Sequence, residues 1–221
     1  MKLNSKYNNT IKKKEYFSNN RQDMLFYIPD WVNTTLEFGC GDGSFSELVK
    51  NKYGSESWAV EIESEYAKEA SGKIDRVINN DAFKSLPELP DNYFDCIIMF
   101  DFLEHLQHPW TLLEKIKCKL SKNGIIVTSI PNIRYYRVFK DLLLHGEWNY
   151  QDQGVLDITH LRFFTYKTII NMFHDLDYEI ITMKGIHPTR SKNLKIINFM
   201  TFNLFSDAKY LHYVNVVKPK I

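Results

Sequence analysis

Glu37, Asp42 and Glu61 are carboxylates gathered on and beside a turn with glycine at alternate positions, T-L-E-F-G-C-G-D-G-S-F from Thr35 to Phe45. An apolar strand pattern (Leu36, Phe38) runs into Gly39, Gly41 and Gly43, and a helical pattern (Phe45, Leu48, Val49) follows. Such a turn needs positive φ and a backbone that a ligand can approach closely, and the following helix offers unpaired N–H groups. A pyrophosphate fingerprint, G-x-G-x-x-G, requires glycine at position 44, where Ser44 stands. Carboxylates at this turn repel a pyrophosphate and suit a ligand that carries an ammonium and a sulfonium. Glu61 ends the next strand pattern, where an open α/β sheet binds ligands, and its carboxylate can accept both hydroxyls of a ribose. Glu63 competes for that task, and a solvated strand-end glutamate is the plain alternative.

A second concentration of reactive types lies between 134 and 164. Asp157, His160 and Arg162 fall within six residues in L-D-I-T-H-L-R-F-F-T, flanked by aromatics. His160 can act as general base on a hydroxyl, since an imidazole titrates near about 6.5. Asp157 can orient that histidine, and Arg162 can pair with a substrate phosphate or carboxylate. Equally, the string can be an internally hydrogen-bonded turn that anchors the insertion to the fifth-strand edge. His105, in F-L-E-H-L-Q-H-P, is the other candidate base, and sequence alone does not rank the two. His105 and His108 form an H-x-x-H pair without a third ligand nearby, a weak metal signal, so no metal is expected.

The elements that must carry these residues can be read in order. Tyr16 to Ile28 has helix-like spacing stopped by Pro29; Phe45 to Lys52 and Glu65 to Ala70 are helical; Ser57 to Ile62 and Arg76 to Asn80 are strands. Phe94 to Asp101 is an uninterrupted apolar run, as in a central parallel strand buried on both faces, expected beside the first strand. Trp110 to Leu120 is an amphipathic helix, Gly124 to Asn132 a fifth strand, Thr165 to Leu176 a capped helix, Tyr178 to Lys184 a sixth strand and Leu211 to Val217 a seventh. The connection over 134–164 is longer than a minimal fold requires, which points to a functional role. Tyr135, Tyr136, Trp148 and Tyr150 within it suit the apolar face of a sugar ring or a buried packing role. The apolar stretch 191–206 reads as a substrate lid, a membrane-proximal helix, a homodimer contact or simple core.

The bulk properties fit one α/β domain over 16–221 behind a polar, lysine-rich 1–15 tail. The chain has 221 residues, 44% of them hydrophobic and 25% charged. Lys+Arg total 28 against Asp+Glu 27, so no basic field exists to hold a nucleic-acid polymer. No apolar run is long enough to span a bilayer and the N-terminus has no apolar signal core, so a cytoplasmic location is expected. Cys40, Cys96 and Cys118 lack a C-x-x-C pair and are expected as reduced thiols.

The E-x-G-x-G-x-G string with Glu61 resembles the cofactor motifs of class I S-adenosylmethionine (SAM)-dependent methyltransferases. D-x-L-E-H-L-x-x-P from Asp101 resembles the segment after the fourth strand in ubiquinone-type and glycan-associated members. Gly146, Trp148, Tyr150, Gly154 and the Leu156 to Thr165 string resemble bacterial members of surface-glycan and nucleotide-sugar pathways. The resemblance spans about Tyr16 to Lys184. It implies a Rossmann-like, seven-stranded, mostly parallel sheet of order 3-2-1-4-5-7-6, with helices on both faces and an insertion after strand five. By that resemblance Tyr16 and Arg21 approach the carboxylate end of SAM, and Glu37, Gly39, Gly41, Gly43 and Phe45 form its turn. Glu61 and Ile62 lie at the ribose end, Asp81 and Ala82 at the adenine, and Phe100 and Asp101 at the methionine part, with His105 facing the reaction cleft. The implied reaction is O-methylation of a sugar or glycan-decorating acceptor, nucleotide- or phosphate-linked, with S-adenosylhomocysteine as product. Methylation of a quinone-like or secondary-metabolite hydroxyl or amine is the alternative, and a non-catalytic cofactor-binding subunit a remote one.

Overall fold

A computed structural model describes residues 21–220. The 1–15 tail, Tyr16 and the start of the 16–28 segment lie outside the described residues. The sheet is seven-stranded, β3-β2-β1-β4-β5-β7-β6, with β1 (Thr34–Phe38), β2 (Glu56–Glu61), β3 (Arg76–Asn79), β4 (Phe94–Phe100) and β5 (Leu120–Pro131) parallel. β7 (Tyr210–Pro219) runs antiparallel between β5 and β6 (Tyr178–Pro188). This is the expected order, with β4 beside β1.

β4 shows why its run is apolar throughout. Phe94, Ile97 and Met99 point to one core, and Cys96, Ile98 and Phe100 to the other. The first core is closed by Leu112, Leu113 and Ile116 of helix Pro109–Ile116 and by Ile169, Met172 and Phe173 of helix Tyr166–Asp175. The second takes Phe45 and Val49 of α1 (Ser44–Tyr53), together with Met24, Ile28 and Val32. α2 (Ser64–Ser71) and the short α3 (Ala82–Ser85) follow β2 and β3; in chain order Pro109–Ile116 is α4.

Several boundaries differ from the sequence reading. Residues 22–27 form a 3-10 helix, so the helical spacing of 16–28 does not persist as one α-helix in its described part. The helix expected to reach Leu120 ends at Ile116, a 3-10 turn covers Lys117–Lys119, and β5 starts at Leu120, four residues before Gly124. A register shift between Phe94 and Cys96 absorbs the polar Ser121 to Asn123 stretch. The insertion contains an unanticipated helix, α5 (Tyr136–His145), and Tyr166–Asp175 is therefore α6. The last apolar stretch holds α7 (Lys192–Met200) and is not core: within it Leu194 is buried, whereas Phe199 and Phe202 are 87% and 95% exposed.

Candidate functional site

The glycine turn rises from β1 into α1 at the C-terminal edge of the sheet. Gly39, Gly41 and Gly43 all have positive φ, between 56° and 77°. Gly43 caps α1 where α2 crosses it: a Cβ there would stand 2.8 Å from the Ala70 Cβ and 3.0 Å from its Cα. A Gly43→Ala substitution is therefore expected to cost about 2 kcal/mol, from left-handed strain and overlap with a backbone that cannot yield. Thermal or urea unfolding with unchanged m-value measures it.

Below the turn lies a cleft of about 410 Å³, lined by Arg21, Glu37, Gly39, Cys40, Gly41, Asp42, Ser44, Phe45, Glu61, Ile62, Glu63, Phe100, Asp101, Phe102, His105 and Thr159. Its size is that of small-molecule sites. The Glu61 carboxylate accepts from the Gly41 N–H (Oε2, 2.9 Å) and from the Glu63 N–H (Oε1, 2.9 Å), so it ties the turn to the end of β2. Glu37 is buried and accepts from Ser46 Oγ at 2.5 Å. Burial pushes its carboxyl up to about 7, against the lowering influence of Ser46 and Arg21. Asp42 answers to a local cation: Lys73 Nζ lies 3.0 Å from its Oδ2, and the Ser44 N–H and hydroxyl also donate to it. Burial alone would raise Asp42, but Lys73 and Ser44 hold it below the usual range.

Across the cleft, Asp101 has φ 47° just past β4. It accepts from the Arg21 guanidinium (2.8 Å) and Ser129 Oγ (3.0 Å), with His212 Nε2 3.6 Å away. Burial would raise its pKa; Arg21 and His212 outweigh that and hold it low. Arg21 also lies over the Phe100 ring, 5.6 Å from its centroid.

Of the two candidate histidines, His105 lines the cleft and His160 does not. The His105 Nδ1 lies 3.0 Å from Thr159 Oγ1 and 3.2 Å from the Thr159 carbonyl. The Thr159 hydroxyl donates to Asp157 Oδ1 at 2.6 Å, so its oxygen accepts from His105 Nδ1–H. Nε2 is then the basic nitrogen of that ring. Asp157 thus orients His105 through the Thr159 hydroxyl. His160 is buried behind His105, rings edge to face at 4.8 Å, and donates from Nδ1 to the Val155 carbonyl at 3.0 Å. It does not line the cleft. Arg162 donates to the Gln107 carbonyl (2.6 and 3.1 Å), lies over Trp110, and sits where Leu161 and Arg162 N–H groups donate to the Glu104 carbonyl. The insertion is thereby clamped onto the loop after β4, not only to the fifth-strand edge, where the Ile133 N–H donates to the Phe164 carbonyl.

Asp81 and Ala82 are not in the cleft lining; the Asp81 carboxylate caps α3, accepting from the Phe83 and Lys84 N–H groups. Sequence reasoning missed Thr159, Phe102 and Glu104. Glu104 is 1% exposed, neither oxygen has a hydrogen-bond partner among the described residues, and burial drives its pKa well up. Its Oε1 is 3.9 Å from His160 Nε2. Ligand atoms of Glu104, His105 and His160 lie within 4.8 Å of one another, whereas the His105–His108 pair was the one visible in the spacing.

The lining fits a sulfonium nucleoside. Gly39 and Gly41 border the cleft, whereas Gly43 packs on Ala70 outside its lining; a carboxylate stands at the end of β2, and Glu37 lines the cleft with an ionised form that a ligand cation would stabilise. The solved structures to which the chain is similar agree at the level of fold. A SAM-dependent methyltransferase from Archaeoglobus fulgidus is 23% identical, with TM-score 0.70, covering 93% of this chain and 94% of that one. One from Thermotoga maritima is 16% identical (TM-score 0.64; 94% and 92% covered), and one from Mesorhizobium loti 15% (0.61; 93% and 97%). No curated protein matches the chain. The methyltransferase domain family model matches residues 11–183, most of the sequence, and the chain belongs to that family of SAM-dependent methyltransferases.

Proposed function

We propose that the protein O-methylates a hydroxyl of a sugar or glycan-decorating group, nucleotide- or phosphate-linked, in surface polysaccharide biosynthesis. The observation that carries this reading is the Asp157–Thr159–His105 chain of hydrogen bonds ending at the cleft. When bound, SAM supplies an electrophilic methyl. A hydroxyl attacking it in line must lose its proton, and His105 Nε2 is the base that Thr159 and Asp157 hold in the required tautomer. As His105 gains that proton, buried Asp157 stabilises the charge through the Thr159 hydroxyl. Glu37, Glu61 and the glycine turn hold the donor, with Ile62 and Phe45 at its apolar contacts and Arg21 and Asp101 at its amino-acid end.

The acceptor side is supported by a second cavity of about 200 Å³ within the insertion. Arg137, Asp141, Glu147, Asn149 and Gln151 line it together with Tyr135, Val138, Val155, Leu156 and Leu211. This mix of hydrogen-bonding groups and apolar side chains suits the hydroxyls and the apolar face of a sugar ring.

Isothermal titration tests the donor: S-adenosylhomocysteine is expected to bind, NAD not, and chelation with EDTA to leave binding unchanged. Transfer from radiolabelled SAM to a panel of nucleotide sugars tests the acceptor. His105→Ala is expected to keep S-adenosylhomocysteine affinity and slow transfer at least about tenfold. Wild-type turnover in that variant would refute the base assignment.

A further inference from the structure

The connection between β6 and β7 exposes more apolar surface than any packing role needs. Phe199, Met200, Phe202 and Leu204 are 87, 73, 95 and 66% exposed, and Ile196 is 58% exposed. This is a built feature. Phe202 and Asn203 both adopt left-handed φ (51° and 63°), which a bulky residue such as Phe202 rarely takes. The Asn198 side chain bonds both ways with Phe205 (3.0 and 3.3 Å), and its carbonyl accepts from the Asn203 N–H at 2.7 Å. The turn is locked in the conformation that displays Phe202. α5 packs beside it through Phe139 on Phe205, with ring centroids 4.8 Å apart, and adds exposed Leu143 and Leu144.

The charge on this patch selects its occupant. Arg190, Lys192 and Lys195 are exposed, and no acidic residue occurs between 189 and 206, in a chain whose net charge is only +1. A second copy docking through a two-fold axis would set these cations against themselves. An anionic bilayer surface instead accepts aromatic and aliphatic side chains below the headgroups and the cations among them. The position also makes sense. β7 begins at Tyr210, beside the end of β5, where Asn132 Nδ2 donates to the Tyr210 carbonyl. The patch therefore shares the sheet edge at which the parallel strands end and the cleft opens.

We propose that residues 190–204 form a peripheral docking surface for anionic lipid headgroups, holding the cleft edge toward the membrane. No described helix is long and apolar enough to cross a membrane, so the contact is interfacial. The proposal does not depend on the acceptor being a sugar.

Vesicle flotation tests it with the full chain. Retention is expected on phosphatidylcholine vesicles containing phosphatidylglycerol, weak retention on phosphatidylcholine alone, and release by salt. Phe199→Ser with Phe202→Ser, and separately Lys192→Glu with Lys195→Glu, should each weaken retention by about tenfold or more. Both should keep the wild-type melting temperature and S-adenosylhomocysteine affinity, because none of these residues lines the cleft. Equal binding to neutral and anionic vesicles, no binding to either, or retention unchanged in both variants would overturn the proposal. So would light scattering that shows a wild-type dimer made monomeric by the phenylalanine changes, which would assign the patch to a second copy.

Discussion

Glu61→Ala is expected to weaken S-adenosylhomocysteine binding by about 100-fold or more, among the largest single-residue effects on donor affinity. The carboxylate lines the cleft at the end of β2 and holds the Gly41 and Glu63 N–H groups at 2.9 Å each. Its loss therefore acts twice. It removes the carboxylate that we propose accepts the ribose hydroxyls, where each hydrogen bond to a charged group contributes about 1.5–3 kcal/mol. It also frees the Gly41 backbone, so that the turn must be ordered when the ligand binds. Glu61→Gln retains the shape and one acceptor oxygen, and is expected to lose about tenfold. Titration calorimetry on both variants separates the two contributions. If Glu61→Ala binds S-adenosylhomocysteine within about threefold of wild type, the ribose role passes to Glu63, which also lines the cleft.

The features legible in the sequence are those with a strong local cause. Burial on both faces makes β4 apolar at every position, and the positive-φ turn demands its glycines, so the central strand and the turn are legible in short stretches, whereas the full strand order is what the family resemblance implies. Other features depend on contacts distant in sequence. Spacing in sequence pairs Asp157 with His160, three residues away, yet its hydroxyl-mediated partner His105 lies 54 residues from Thr159. A threonine between an acid and a histidine carries no signal of its own until the fold brings the post-β4 loop beneath the insertion. Arg162 illustrates the reverse: a cation suited to phosphate is instead bonded to the Gln107 carbonyl. The early start of β5 was hidden for a third reason, since Ser121, Lys122 and Asn123 have no apolar alternation and join the strand across a register shift. Likewise α5 has no fully buried residue, so no core contact dictates its pattern.

The other large effect concerns pH. Glu37 sits at about 7 in the ligand-free protein, against an ordinary value of 4.5, because burial penalises its charge. A group whose folded pKa is raised contributes its full stability below its unfolded pKa and loses it as pH climbs through the folded value. Between about pH 5 and pH 8 the free protein should therefore lose about 2.5 kcal/mol through Glu37 alone. Glu104 and Glu61 shift in the same direction, whereas His212, lowered chiefly by burial, acts oppositely. The difference between wild type and Glu37→Gln isolates the Glu37 contribution, and chemical denaturation at several pH values should show that difference growing with pH. A donor carrying an ammonium and a sulfonium supplies the positive charge that ionised Glu37 lacks. Its binding should thus tighten with rising pH in wild type and do so less steeply in Glu37→Gln, where Glu61 still titrates. A wild-type stability curve parallel to that of Glu37→Gln would show that the carboxyl is already ionised at pH 5. Glu37 would then be charged in the empty cleft, and the turn would be prepared for a cationic ligand at every physiological pH.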